Sequence, residues 1–106
     1  MDIITWISKW FANECDGDWE HENQIRIQTV SNPGWYITIA LTHTQLHHVS
    51  IELTTEKKSD DDWFFYCVKE KQFSASGDLN KLAFLLTKFK EIVLNHNSGS
   101  SRENLS

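Results

Sequence analysis

Residues that could do chemistry concentrate in one short stretch of the chain, residues 15–22, which reads Cys-Asp-Gly-Asp-Trp-Glu-His-Glu. Five carboxylates and no Lys or Arg lie between Glu14 and Glu22, with Trp19 in their middle. We call residues 15–22 the acidic loop, and its ionisable candidates for a site are Asp16, Asp18, Glu20, His21 and Glu22. Polar loops positioned by a scaffold are typical of binding and active sites.

Three interpretations of the acidic loop stay open at this point. Its carboxylates and imidazole could bind a metal ion, as a small metal-binding domain or a metal-dependent enzyme would. The spacing fails the calcium-loop pattern, which needs a Glu six residues beyond the glycine. The loop could instead be solvated, with Trp19 inserted into the core, or its carboxylates could face a cationic partner.

Other candidate catalytic groups are sparse. His43, His47 and His48 fall in a connection between strands, where a His pair four residues apart lacks the helix that would align it on a metal. Cys15 with His21 is the only nucleophile and base pair that is close in sequence, and no phosphate loop, nucleophile elbow or Cys-x-x-Cys occurs. We therefore expect no enzymatic activity, no metal and no cofactor.

Composition narrows the class of protein. The 106 residues suit one domain, and 40% of them are hydrophobic, enough for a core. A net charge of −5 argues against nucleic-acid binding and against docking on an anionic membrane. The first residues lack the basic and apolar regions of a signal peptide, so we expect a cytoplasmic protein with Cys15 and Cys67 as free thiols.

Periodicity predicts the elements that must position these residues. Apolar residues at helical spacing predict a helix over 2–14 and a second over 79–93 that is N-capped by Asp78. Alternation predicts four or five strands, at 25–30, 35–42, 49–54, 63–68 and 72–76. The fold class is therefore α+β, an antiparallel four- to five-stranded sheet with both helices on one face. We expect one domain over 1–95 and a disordered tail over 96–106.

The turn between the first two strands is a second motif, Asn32-Pro33-Gly34-Trp35. Pro33 fixes one backbone angle, and Gly34 is free to take positive φ, so this tetrapeptide predicts a β-hairpin. Trp35 leads the second strand, and we expect it and Trp63 on buried faces.

The assembled motifs resemble the bacterial immunity protein 53 family. The resemblance rests on Trp-Phe (10–11), Cys-Asp-Gly-Asp-Trp-Glu-His (15–21), Ile-x-Ile-x-Thr (25–29), Asn-Pro-Gly-Trp (32–35), Ile-x-Leu-x-x-Thr (39–44), Asp-Trp (62–63), Phe73 and Gly77-Asp78. It covers nearly the whole chain except the tail. The resemblance implies a small protein of polymorphic toxin systems that binds and neutralises a cognate toxin.

The mechanism we expect is occlusion of the toxin's active or substrate-binding surface. A toxin that attacks nucleic acid carries a basic cleft, and a basic nuclease-type toxin would suit an acidic inhibitor. The predicted partner-binding residues are those of the acidic loop together with a second acidic segment, Asp60, Asp61 and Asp62. A metal-binding domain or enzyme built on the acidic loop is the alternative, and the oligomeric state is left open.

Overall fold

The computed structural model of the chain describes the backbone of residues 1–105 and the side chains of residues 1–96. Its elements in chain order are α1 (Ile3–Glu14), α2 (Trp19–Glu22), β1 (Ile25–Val30), β2 (Gly34–Ala40), β3 (Ile51–Ser59), β4 (Asp62–Lys69), β5 (Gln72–Gly77) and α3 (Leu82–Leu105). The predicted α+β fold, with five antiparallel strands and a helix before and after them, is confirmed. Among the described helices, none combines the length and apolar character that crossing a bilayer requires.

The five strands form one sheet in the order β1-β2-β5-β4-β3, and every neighbouring pair is antiparallel. The two edges are therefore β1 and β3. The sheet joins a local hairpin, β1–β2, to a local meander, β3–β4–β5, through the β2–β5 pair in its centre. That central pair runs from Trp35 opposite Gly77 to Ala40 opposite Gln72.

One face of the sheet carries the hydrophobic core. Side chains alternate between the two faces along each strand, so the residues opposite one another across the strands share a face. The core face presents Ile37, Ile39, Val68, Phe73 and Ala75. Both helices cover this face, α1 through Ile7 and α3 through Leu85, Leu86, Phe89, Ile92 and Val93. The opposite face of the sheet is not covered by either helix.

Aromatic rings lock the two helices and the sheet together. The ring of Phe89 in α3 lies 4.9 Å from Trp10 and 6.3 Å from Trp6, both in α1, and 5.2 Å from Phe73 in β5. The first two contacts are edge-to-face, an arrangement that aromatic pairs favour over flat stacking. Phe89 is fully buried and contacts both α1 and β5, so α1, α3 and the sheet meet at this residue.

Several predicted boundaries were wrong. β3 runs to Ser59 rather than ending near residue 54, because polar side chains on an edge strand can stay solvated while the backbone pairs with β4. α3 begins at Leu82 rather than residue 79, and Asp78 holds a turn instead of capping the helix. Trp63 lies on the face opposite the core, stacked at 6.4 Å on Phe65. The predicted domain boundary at 95 and tail at 96–106 stay predictions, since the tail's side chains beyond His96 lie outside the described residues.

Candidate partner-binding site

The acidic loop is held in one shape by two of its own carboxylates. The backbone N–H groups of Asp18 and Trp19 donate to Oδ1 of Asp16, over 2.9 and 2.8 Å. The N–H groups of Asp16 and Gly17 donate to the Glu20 carboxylate, each at 3.0 Å to the nearer oxygen. Gly17 adopts φ of +100°, a conformation that glycine takes without steric cost. Together these contacts lead the chain from α1 into the single turn of α2.

Those hydrogen bonds favour the ionised form of both carboxyl groups. The Trp19 and Asp18 N–H groups lower the pKa of Asp16 below its usual 3.8. The pKa of Glu20 is lowered from 4.5 by its own N–H and then by those of Asp16 and Gly17. Asp16 and Glu20 are therefore charged at neutral pH, and part of their hydrogen-bonding capacity is already used within the loop.

Trp19 ties the acidic loop to the core. Its side chain is 8% exposed, and its indole Nε1–H donates to the carbonyl of Thr42 over 2.6 Å. Its ring lies 6.3 Å from Trp10 and 5.4 Å from Phe11, both on α1. Asn23, also buried, donates its side-chain N–H to the carbonyl of Trp19. The loop is therefore fixed at both its centre and its end.

The exposed surface of the acidic loop includes Asp16 and the ionisable residues that do not bind its backbone. Asp18, His21 and Glu22 are exposed, and among the described side chains none of the three forms an ion pair or a side-chain hydrogen bond. They stand on a backbone that Asp16, Trp19 and Glu20 immobilise. A partner that approached this end of the sheet would meet the carboxylates of Asp18 and Glu22 on a backbone that is held in place before contact.

The second acidic segment lies at the other end of the sheet. It forms the β3–β4 turn, whereas the acidic loop leads into the start of β1, and the register places these two points at opposite ends of the strands. The seven residues of β2 separate the two ends by roughly 20 Å. The structure therefore does not bring the two predicted acidic segments into one continuous patch.

Two of the three aspartates in that segment already have cationic neighbours. Asp60 lies 3.3 Å from the Lys57 ammonium, and Asp62 lies 2.7 Å from the Lys81 ammonium. The same Lys81 nitrogen lies 2.6 Å from Asp78. Asp61 is exposed and, within residues 1–96, takes part in no ion pair. This segment thus offers less uncompensated negative charge than its sequence suggests.

The turn at Asn32-Pro33-Gly34-Trp35 needs its glycine because another part of the backbone passes close to it, not because the glycine has a positive φ. Gly34 does not take the positive φ that the sequence analysis expected. A Cβ atom placed there would lie 2.5 Å from the carbonyl oxygen of Gly77 and 3.1 Å from the Trp63 ring, so only glycine fits. The Asn32–Pro33 bond is cis, and the Trp35 Nε1–H donates to the Leu79 carbonyl over 3.1 Å. The motif joins the hairpin to β5 and to the turn before α3.

The Cys15 thiol bonds to a backbone carbonyl and, among the described residues, to no imidazole. The Cys15 thiol donates to the Phe11 carbonyl, and burial, followed by the charges of Glu20 and Asp16, raises its pKa and keeps it protonated. Cys15 and Cys67 are both free. Across the described residues, no group of three His, Cys, Asp or Glu side chains is placed to hold a metal ion.

His47 is the unusual member of the histidine cluster. Its ring lies 4.2 Å from that of His48 and 6.3 Å from that of His43. Its Nδ1 atom is buried without a hydrogen-bond partner among the described atoms. Burial lowers the pKa of His47 below 6.5, and the neighbouring charges of His48, Lys71 and His43 act in the same direction. Its side chain is therefore neutral at pH 7.

Sequence reasoning missed a groove beside the acidic loop. It lies between α1 and the start of β1, has a volume of about 450 Å³, and is lined by Ile7, Ser8, Phe11, Gln24 and Ile25. Exposed apolar side chains flank it, with Ile4 at 56% and Ile27 at 43% exposure. The alternation at 25–29 signalled a strand with a covered face, but no local signal said that this strand is an edge.

A family model described as immunity protein 53 matches residues 4–94. No curated protein matches the chain. No solved structure matches it either.

Proposed function

Because the chain belongs to the immunity protein 53 family, we propose that it binds a cognate bacterial toxin and covers the toxin's active or substrate-binding surface with its acidic loop. The family supplies the toxin-neutralising role. The observation that carries the assignment to the loop is the exposure of Asp18, His21 and Glu22 on a backbone fixed by Trp19, Asp16 and Glu20. A preorganised surface loses little conformational entropy when it binds.

Charge gives the loop its preferred kind of partner. Glu14 and the four acidic residues of the loop place five carboxylates within nine positions, without a Lys or Arg between them. A dense negative surface attracts a basic cleft from a distance and raises the association rate, most strongly at low ionic strength. A basic nuclease-type toxin fits this surface, since its cleft is built to receive phosphate groups.

The second acidic segment enters the proposal as a separate contact. Asp60 and Asp61 are exposed and can face a partner, Asp60 from its exposed pair with Lys57, whereas Asp62 is engaged by the partly buried Lys81. A toxin that touched both segments would have to span the sheet, roughly 20 Å or more. We therefore assign the first contact to the acidic loop and the outer contact to Asp60 and Asp61.

Survival in the presence of the toxin tests the role itself. The chain is expressed together with the toxin encoded beside its gene, and colony formation is compared with that of cells carrying the toxin alone. We expect rescue by the wild-type chain. Loss of protection in cells shown to contain the folded chain would contradict the proposed role.

A charge-reversal pair tests the acidic loop. Asp18→Lys with Glu22→Lys should slow association with the toxin by about tenfold or more at low salt, because the two exposed carboxylates that do not bind the loop's backbone become cations. The control, Glu52→Lys with Glu91→Lys, changes the net charge equally on β3 and α3, and the two exposed ion pairs that it removes, to Lys69 and Lys88, contribute little to stability. Association rates of both proteins are measured by surface plasmon resonance across a salt series. Equal rates and equal salt slopes for the two double variants would remove the loop from the proposal.

A further inference from the structure

We propose that the free edge of β1, together with the groove between β1 and α1, receives an extended segment of the toxin as a sixth strand of the sheet. The segment would place an apolar side chain in the groove and a Lys or Arg beside the acidic loop. This inference rests on the proposed function and specifies how the partner is bound.

Among the described residues, β1 has backbone hydrogen-bonding partners only on its inner side, in β2. The Ala40 N–H donates to the Gln24 carbonyl over 3.2 Å, which fixes the even-numbered residues as those that bond to β2. In an antiparallel ladder the bonding direction alternates from residue to residue. The N–H and C=O groups of Ile25, Ile27 and Thr29 therefore point away from the sheet. An extended peptide is the ligand that satisfies such a row.

The two edges of the sheet differ in how well they are protected against strand addition. Natural edge strands are protected by bulges, by lysines and by irregular pairing. β3 has two register shifts in its pairing with β4 and carries Lys57 and Lys58. β1 pairs with β2 without a shift over its whole length, and its one charged residue is Arg26. Only β1 is a regular edge with little charge.

The groove gives the incoming strand a side-chain specificity. Side chains of Ile25 and Ile27 lie on the core face, where α1 stops short of covering Ile27. Ile7, Phe11 and Ile25 make the walls of the groove apolar, and Ser8 stands at its rim. A strand that added to β1 would direct alternate side chains to this face, so one of them would fill the groove. The toxin segment that this edge would bind is therefore extended and carries a large apolar residue.

The negative charge of the acidic loop favours a cationic residue at the end of the toxin segment that lies near the start of β1. Phe11 and Gln24, which line the groove, flank the acidic loop in the chain, and Glu22 lines a second pocket with Gln24 and Arg26 on the uncovered face at the same end of β1. A cationic side chain of the added strand would lie beside Glu22 and Asp18 at that end. The same charges that attract the toxin from a distance then fix the position of the strand along the edge.

Two pairs of variants test the β1 edge. For each variant, the Kd is measured for an inactivated form of the toxin that is encoded beside the chain's gene. Ile27→Lys places a charge on the core-side face of the β1 edge, and Leu53→Lys makes the matched change on β3, where the leucine is 56% exposed. Ser8→Trp fills the groove from α1, and Lys9→Trp adds the same ring at the next exposed position. We expect Ile27→Lys and Ser8→Trp to raise the Kd at least about tenfold, and their controls to leave it unchanged. Thermal unfolding verifies that all four variants fold.

Amide hydrogen exchange tests the same edge without a substitution. In the free chain the amides of Arg26 and Gln28 are bonded to β2, whereas those of Ile27 and Thr29 are open to solvent. We expect toxin binding to slow exchange at Ile27 and Thr29 by at least about tenfold.

The outcomes separate this inference from the proposed function. If the wild-type chain binds and all four variants bind equally, with no new protection at Ile27, the edge is excluded and the proposed function stands. If the wild-type chain does not bind the toxin, both are overturned. If the chain alone forms a dimer that Ile27→Lys dissociates, a second copy occupies the edge and the inference is wrong.

Discussion

At the scale of single residues, Trp19 is the anchor that holds the acidic loop in one conformation. Replacement by alanine should destabilise the fold by about 3–5 kcal/mol, because a buried indole, its contacts to Trp10 and Phe11 and its bond to Thr42 are lost together. Trp19→Phe keeps an aromatic ring and should cost less. Urea unfolding of both variants measures the difference. Equal stability of Trp19→Ala and the wild type would contradict the role of this residue as an anchor.

The residues of the acidic loop also show where sequence reasoning succeeds and where it stops. Its composition alone selected all of the carboxylates, because a run of acidic residues without a basic one is visible in one dimension. Their division into Asp16 and Glu20, which bind backbone N–H groups, and Asp18 and Glu22, whose carboxylates bind none, depends on the local fold. The sequence does not distinguish a carboxylate that hydrogen-bonds to the loop backbone from one that is available to contact a partner.

At the scale of elements, Asp78 and Lys81 connect the start of β4 to the start of α3. The buried Asp78 carboxylate accepts N–H groups from Trp63 and Asn80 and contacts the Lys81 ammonium. Burial alone would raise the pKa of Asp78, but the bonds from Lys81, Trp63 and Asn80 outweigh it and lower the pKa below 3.8. Lys81 also reaches Asp62 in β4, so one ammonium joins two elements.

Removal of the Asp78 carboxylate should therefore loosen that junction. We expect Asp78→Ala to reduce the free energy of unfolding by about 3 kcal/mol, because the partly buried Lys81 loses a partner and two backbone N–H groups lose their acceptor. The control is Asp61→Ala at the exposed turn, which should change stability by less than about 0.5 kcal/mol. Chemical denaturation of both proteins gives the comparison. If Asp78→Ala lowered the free energy of unfolding no more than the control does, Asp78 would not be the residue that joins β4 to α3.

The bounds of helices and strands were predicted well where the hydrophobic pattern of neighbouring residues determines them. They were predicted less well where pairing with another strand determines them. β1 has the predicted bounds, because its alternation is read directly from neighbouring residues. The extension of β3 through Lys57 to Ser59 and the placement of Trp63 on the uncovered face could not be read locally. Both depend on which residue lies across the ladder. The identity of the edge strands follows from the strand order, which the sequence analysis did not predict.

At the scale of the whole molecule, acid should destabilise the fold in two stages. The fold favours neutral His47, so its contribution is complete above about pH 6.5 and is lost as pH falls through the lowered pKa of this residue. The fold also favours ionised Asp78, Asp16 and Glu20. Their contributions are complete above about pH 4.5 and are lost as pH falls through their lowered pKa values.

Urea unfolding measured from about pH 8 to pH 3 follows both stages. We expect His47→Gln to remove the stage nearer neutrality, because an amide cannot take up the proton, and to leave the acidic stage in place. His21→Gln on the exposed surface of the acidic loop is the control and should retain both stages. A pH profile of His47→Gln that matches the wild type would show that His47 is not the group responsible.

The sheet order has a consequence for the chain during its synthesis. β1 and β2 are complete once Ala40 has emerged, but the inner edge of β2 has no partner until β5 follows, ending at Gly77. Translation proceeds at roughly 5–20 residues per second, so this edge waits for a few seconds beside the ribosome. Ile37 and Ile39, fully buried in the finished protein, are uncovered throughout that interval. The β2–β5 pair at the centre of the sheet thus forms only when the last strand arrives, and until then the inner edge of β2 is open to pairing with another nascent chain.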